Sequence, residues 1–396
     1  MELESLRWIV LALYTSAGPL LVFAHGFFGA GSAFSGALLV FLTTALCLLG
    51  RRIPGLVWPD ALFGALLACI AATTIKNGVT ADFREYALLI LSLAAYVAGR
   101  RFGGEGIDKS YILTAGAIIV VGTVATVIAL ADQWNSEHGK PLLFGQFGAG
   151  AVQFFCSLAF LIFSAAGFRM YRRPVAFASF AALVVYAASI VRFGFVALTV
   201  SLLVSLFFGQ HKKYSRLMAL AVIVAFVAGS LLRSSTAGIF FDYGIEVLFP
   251  KAHAAQDAAP ISPDTCPEVN RFNSIAIRAQ LFRDGMRLLP SAGPFGFGLE
   301  SFPRLSCIEM PVHNSVLQAF IEIGWIGGAA FVLLFLCAWI GLPGLARKSD
   351  EALFVLSSLT FTACFSMAHG RLSGDSLLLF FIGYAVGLKE TSARAR

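Results

Sequence analysis

The sequence predicts an all-α, polytopic membrane protein of about twelve helices. Three observations carry that prediction. Hydrophobic residues make up 58% of the 396 positions and charged residues only 13%, against roughly 25% charged in a soluble domain. Apolar runs close to the ~20 residues that cross a bilayer recur along the chain. Lysine and arginine cluster in alternate connections between those runs, the bias that orients membrane helices.

The runs lie near 8–24, 33–49, 60–75, 86–99, 111–131, 147–168, 174–190, 193–209, 217–232, 314–340, 352–368 and 374–388. The first follows Glu2, Glu4 and Arg7 and reads as a retained anchor instead of a cleaved signal. The stretch 174–209 is split at Arg192 into two short spans. With the N-terminus inside, 17 of the 29 Lys and Arg then fall in cytoplasmic segments and 5 in short outer loops. Without the split, every later basic cluster lands on the wrong side. Twelve spans put both termini in the cytoplasm. The formal charge of +7 is thereby explained as topogenic, and no nucleic-acid partner is expected.

The chain divides into helices 1–9 (1–232), an outer loop (233–312) and helices 10–12 with a cytoplasmic tail (313–396). A loop of 80 residues is too long for a simple connection. Its part 251–263 is Ala- and Pro-rich and reads as irregular. The part 273–289 reads as an amphipathic helix, stopped by the Gly/Pro-rich stretch 291–298. At about 100° per residue, Ile275, Ile277, Leu281, Phe282, Met286, Leu288 and Leu289 share one arc, opposite Gln280, Arg283, Asp284 and Arg287. Such a helix can lie on a membrane surface or cap the bundle.

Arg278 falls within the apolar arc, and Arg271 projects close to it. One reading is snorkelling to lipid headgroups. The other is an arginine aimed into a cavity, where its planar fork suits a phosphate. Arg192, in Ser189-Ile-Val-Arg-Phe-Gly194, lies where two apolar helices meet on the outer side without a neighbouring carboxylate. It is either an interfacial arginine or part of a ligand path. His313 opens the tenth helix in Met310-Pro-Val-His-Asn-Ser315. A lone histidine is more often structural, but an imidazole there can act as general base near neutral pH. Glu322-Ile-Gly-Trp-Ile-Gly-Gly328 brings a carboxylate with no assignable partner and three glycines suited to close helix packing. His369 and Arg371, at the outer end of the eleventh helix, are placed to join the same cavity. The seven cysteines show no zinc-type spacing. Cys266 and Cys307 alone fall in the outer loop, and the reading favoured there is a disulfide over two free thiols.

These pieces together resemble the O-antigen ligase and O-antigen polymerase superfamily of bacterial membrane glycosyltransferases. The motifs are Ser189-Ile-Val-Arg-Phe-Gly194, the Arg278 helix leading to Pro294-Phe-Gly-Phe-Gly-Leu-Glu-Ser-Phe302, and His313-Asn-Ser followed by Glu322-Ile-Gly-Trp-Ile-Gly. The order of elements along the chain agrees as well. The resemblance implies a GT-C-like fold in the bacterial inner membrane, with the long loop periplasmic. It implies transfer of a glycan from undecaprenyl diphosphate to an acceptor hydroxyl, without metal, nucleotide sugar or other cofactor. Acceptors of the superfamily are lipid A core (ligase), a growing glycan (polymerase) or a protein (O-oligosaccharyltransferase). Arg192 and Arg278 would then bind the diphosphate and stabilise its departure, and His313 would take the acceptor proton. Asn314 would orient His313 or the sugar, with Arg271 and Arg371 as further substrate contacts.

Two other classes compete. A twelve-helix transporter should show similar halves and midplane ionisable groups, and neither is evident here. A non-catalytic envelope scaffold explains the topology but not an arginine on an apolar helix face.

Overall fold

The computed structural model describes residues 3–50, 54–102, 107–134, 141–166, 173–189, 193–210, 212–233, 269 and 274–394. Among the described residues, each of the twelve apolar runs overlaps helix. In order these are α1 (Leu3–Thr15) with α2 (Ala17–Phe28), α3 (Ser32–Leu49), α4 (Trp58–Asn77), α5 (Phe83–Arg101) and α6 (Lys109–Asp132). After a hairpin of β1 (Leu142–Leu143) and β2 (Phe147–Gly148) come α7 (Gly150–Ala166), α8 (Arg173–Ala188), α9 (Phe193–Phe208) and α10 (Lys212–Leu232). The loop helix α11 (Ser274–Ala292) and the short α12 (Phe302–Leu305) precede α13 (Ser315–Gln318), a π-helical turn (Ala319–Ile323) and α14 (Trp325–Trp339). The chain ends with α15 (Leu342–Ala346), α16 (Asp350–His369), a 3-10 turn (Leu372–Gly374) and α17 (Ser376–Arg394).

Among the described residues, five helices are long and apolar enough to cross a membrane by themselves, or six if the bent α1–α2 pair is one span. The protein is thus a mostly helical membrane protein. Several apolar helices, such as Ala33–Leu49 and Phe193–Phe208, are shorter than a full span.

Two predicted helices are broken. The first turns by 70° between α1 and α2, where the Thr15 and Ser16 hydroxyls bond back to the carbonyls of Leu11 and Ala12. Back-bonding of that kind competes with the helical ladder and bends helices. The tenth, expected as one run over 314–340, breaks at Gly324. Its φ of 96° is left-handed, and a Cβ there would sit 2.3 Å from the Pro294 carbonyl oxygen. The break lets the chain before α14 turn aside and meet the loop.

The closest helix contact joins α5 to α17 through reciprocal glycines. A Cβ on Gly99 would lie 2.0 Å from the Phe380 carbonyl oxygen, and one on Gly383 would lie 2.1 Å from that of Tyr96. Small residues let backbones approach where lipid offers no hydrophobic drive for association. At one end of this pair, buried Arg100 forks onto both Asp60 oxygens at 2.9 Å and reaches Glu390 at 2.9 Å. One guanidinium so ties the start of α4 to the ends of α5 and α17.

A second, smaller core lies beside the main one. Leu281, Phe302, Val312, Leu317 and Ile321 are buried together there, flanked by Ile277, Leu288 and Phe297. It fixes α11 onto α13 and the π-helical turn.

Gly99→Val and Gly383→Val should each lower stability by about 1–3 kcal/mol through overpacking. Gly64→Ala, where an added Cβ meets nothing within 4 Å, should leave it unchanged. Thermal melting of the purified protein in detergent checks both.

Candidate active site

The loop helix α11 forms as predicted but runs three residues further, to Ala292, with Pro290 inside it. Its buried face differs from the predicted apolar arc. Leu281 is fully buried, yet Phe282 is 51% and Met286 48% exposed, while Gln280 and Asp284 are buried. The reason is hydrogen bonding. Gln280 Nε2 donates to Asp284 Oδ1 at 2.9 Å, and the other Asp284 oxygen accepts from the Cys307 amide at 2.9 Å. A satisfied polar pair can occupy a buried face that hydropathy assigns to leucine. Arg278 is correspondingly at the edge of the buried face, half-buried, and burial lowers its pKa. Cys307 is disulfide-bonded, whereas Cys47, Cys69, Cys156, Cys337 and Cys364 are free. Cys266, its expected partner, lies outside the described residues.

His313 precedes α13. Its φ of 54° is left-handed, a conformation uncommon outside glycine. Asn314 is extended and caps α13, its Oδ1 accepting from the Leu317 amide at 3.0 Å. Burial is the largest influence on His313. Together with the charges of Arg278 and Arg371 it holds the imidazole pKa below the ordinary 6.5. The imidazole is therefore neutral at neutral pH while two cations lie within electrostatic reach.

Arg371, between α16 and the 3-10 turn, pairs with Glu300 and, at 3.4 Å, with Glu85. Its Nε is buried and finds no hydrogen-bond partner among the described residues. Glu300 also has a left-handed φ, 55°. Burial and the neighbouring Glu85 raise its pKa against the opposing pull of Arg371. Ser373 donates to Glu85 at 2.6 Å, and Ser92 of α5 donates to the Ser373 carbonyl at 2.7 Å. The 370–375 segment is thus moored to α5.

Arg371 also lines a cavity of about 620 Å³ that runs into the bundle. Its walls are mostly apolar and include Leu21, Leu39, Phe154 and Leu378, with Ser366 and Asp375 near Arg371. Phe193 and Gly194, which follow Arg192, are also in the wall. Arg192 and Arg271 themselves lie outside the described residues, as does the His369 side chain. Among the described residues, no group of three or more His, Cys, Asp and Glu is placed to hold a metal ion.

Sequence reasoning left Glu322 without a partner. In the fold it accepts from the amides of Glu300 at 2.9 Å and Phe302 at 3.3 Å and from Gln318 Nε2 at 2.8 Å. Two of these donors are backbone groups, which carry no residue-type signal. Gln318, Glu300 and Glu85 were also missed. Only their joint proximity to Arg371 distinguishes them, and that arises from three separate segments.

Replacing Asp284 by Ala should leave the Cys307 amide unsatisfied and cost about 1–3 kcal/mol. Faster limited proteolysis between α11 and α13, with the helical bundle intact, is the expected readout.

Comparison with known proteins bears on this same part of the chain. No curated protein and no solved structure matches it. Residues 177–332 match the O-antigen ligase family, and this match supports the O-antigen ligase and polymerase superfamily over the segment that carries Arg278, His313 and Glu322.

Proposed function

We propose that the protein transfers a glycan from undecaprenyl diphosphate to an acceptor hydroxyl at the periplasmic face of the bacterial inner membrane, as an O-antigen ligase or related polysaccharide ligase. The observation that carries the reading is a largely apolar cavity lined by Arg371, an arginine whose charge, with that of Arg278, acts on the half-buried His313 and, after burial, lowers its pKa. A lipid diphosphate needs both features, cations for its head and an apolar path for its tail. In this reading twelve spans place both termini in the cytoplasm and the loop 233–312 in the periplasm.

His313 takes the proton of the acceptor hydroxyl as its oxygen attacks the anomeric carbon. The bond from that carbon to the diphosphate oxygen breaks, and the diphosphate leaves with the electron pair. Arg278, Arg192 and Arg371 stabilise the charge that grows on it, with Arg271 as a further contact. Asn314 fixes the chain just after His313 and so the direction of the imidazole. Attack opposite the leaving group inverts the anomeric configuration. The reaction draws on no metal or cofactor.

Arginine is preferred over lysine here because its fork can donate two parallel hydrogen bonds to one phosphate. Polymerase and protein O-oligosaccharyltransferase share this chemistry and differ in acceptor. Glycan analysis of a deletion strain separates the three. Unmodified lipid A core indicates a ligase, a single attached unit in place of a ladder a polymerase, and unmodified protein acceptors a protein transferase.

His313→Ala should abolish transfer while the protein remains in the membrane, and full activity of that variant would remove the assigned base. Arg278→Lys keeps the charge and loses the fork, so transfer should fall on the order of tenfold or more, the loss of a charge-assisted hydrogen bond. The pH profile is a further test. A base must be neutral, so the rate should fall as pH drops through the His313 pKa, which lies below the ordinary 6.5. Removing a nearby cation eases protonation, so Arg371→Ala should move that acid limb to higher pH. An unmoved limb would detach Arg371 from His313.

A further inference from the structure

Glu322 is 1% exposed and Gln318 6%. Neither lines the cavity among its described walls. Their hydrogen bonds nevertheless converge on Arg371 by two routes. In the first, Gln318 Nε2 donates to Glu322 at 2.8 Å while Gln318 Oε1 accepts from the Leu372 amide at 2.9 Å. Leu372 is the residue directly after Arg371. In the second, Glu322 accepts from the amides of Glu300 at 2.9 Å and Phe302 at 3.3 Å, and the Glu300 carboxylate accepts from the Arg371 guanidinium. One buried carboxylate therefore holds both the backbone of the arginine and its counter-ion.

We propose that Glu322 is a positioning residue for Arg371, acting through Gln318 on the arginine's backbone and through the Glu300 amide on its partner carboxylate. The consequence for function rests on the reading of Arg371 as a diphosphate contact. The placement itself does not.

The chemistry of the side chain supports this role over a contact with substrate. Three N–H donors already occupy the Glu322 oxygens, and two of them, the Glu300 amide and Gln318 Nε2, share Oε2. A glutamine with its carbonyl at that position could keep both, whereas a leucine, near in size, accepts from none of the three. The Glu322 backbone is separately anchored, its carbonyl accepting from Thr73 Oγ1 at 3.0 Å and from the Gly298 amide. Changing the side chain therefore leaves other ties of this turn to α4 and to the loop in place.

Two variants separate the two routes. Glu322→Leu removes the acceptor of both, whereas Gln318→Met removes the link to the Leu372 amide and leaves the Glu300 and Phe302 amides on Glu322. Hydrogen–deuterium exchange of the full-length protein in nanodiscs is the first measurement. Glu322→Leu should speed exchange in 298–303 and 370–374 together, and Gln318→Met in 370–374. Wild-type exchange at 370–374 in either variant overturns the proposal. Should Glu322→Leu fail to fold, Gln318→Met still tests the first route.

Transfer activity supplies a double-mutant cycle with Arg371→Ala. In the native background Glu322→Leu should lower the rate about tenfold, and in the Arg371→Ala background by less than about twofold, as for groups acting as one unit. Losses that multiply would assign Glu322 a structural role unrelated to Arg371. Wild-type transfer by Arg371→Ala itself would instead remove Arg371 from the proposed mechanism, while the exchange pattern still decides whether Glu322 places it.

Discussion

The carboxylate of Glu322 is the constraint around which the loop and this end of the helical bundle are arranged. It is buried where a loop returns to the helical bundle, and backbone groups buried away from water must find partners inside the protein. The turn 298–302 carries too few residues to form a ladder of its own. It meets the bundle instead through two amides on one side chain, with the Phe297 and Gly298 amides bonded to the carbonyls of Ile321 and Glu322. Glycine makes the approach possible. Gly296 and Gly324 cross with backbones so close that a Cβ on either would lie within 2.5 Å of the other strand of chain.

That crossing has an electrostatic result. It brings the segment ending in His313, the loop carrying Glu300 and the α16–α17 connection carrying Arg371 to one place. The cations and carboxylates there are not matched around the histidine. Glu300 and Glu85 are engaged on Arg371, and the influences on His313 are burial, Arg278 and Arg371. Each of these disfavours the imidazolium. A neutral imidazole beside positive charge is suited to receive a proton as an anion departs nearby. A free imidazole in solution has no such field to keep it neutral below its ordinary pKa.

Much of this was legible in sequence, for identifiable reasons. The apolar runs overlap helices among the described residues because hydropathy over about twenty residues is a strong signal, although only five or six of these helices are long and apolar enough to span. His313 and Arg278 were legible because each breaks a local pattern, one at a helix start and one on an apolar arc. The arc was misassigned because Gln280 and Asp284 satisfy each other and the Cys307 amide, which makes a polar pair admissible inside. The breaks at Ser16 and Gly324 were illegible for a different reason. Glycine and serine occur throughout the apolar runs, and only a few are used to turn the chain. Glu322 stood out as an oddity, but two of its three partners are backbone amides some twenty residues upstream.

Two of the four non-glycine residues with left-handed φ among the described residues lie at the same place. Glu300 and His313 both hold a left-handed φ, which costs a non-glycine residue of order 1–3 kcal/mol and persists only where its surroundings over-determine it. Here the surroundings are visible. The Glu300 amide is fixed on Glu322, and its carboxylate is fixed on Arg371. His313 is followed at once by the Asn314 cap and by Ser315, whose buried hydroxyl lies where a Cβ on Gly370 would collide with it. The two strained residues flank Arg371, one through an ion pair and one through its field. A looser loop would relax both residues to ordinary conformations and let the histidine and the arginine part. The hydrogen bonds of Glu322 oppose that relaxation, so the strain at His313 and the burial of Glu322 are two consequences of one packing arrangement.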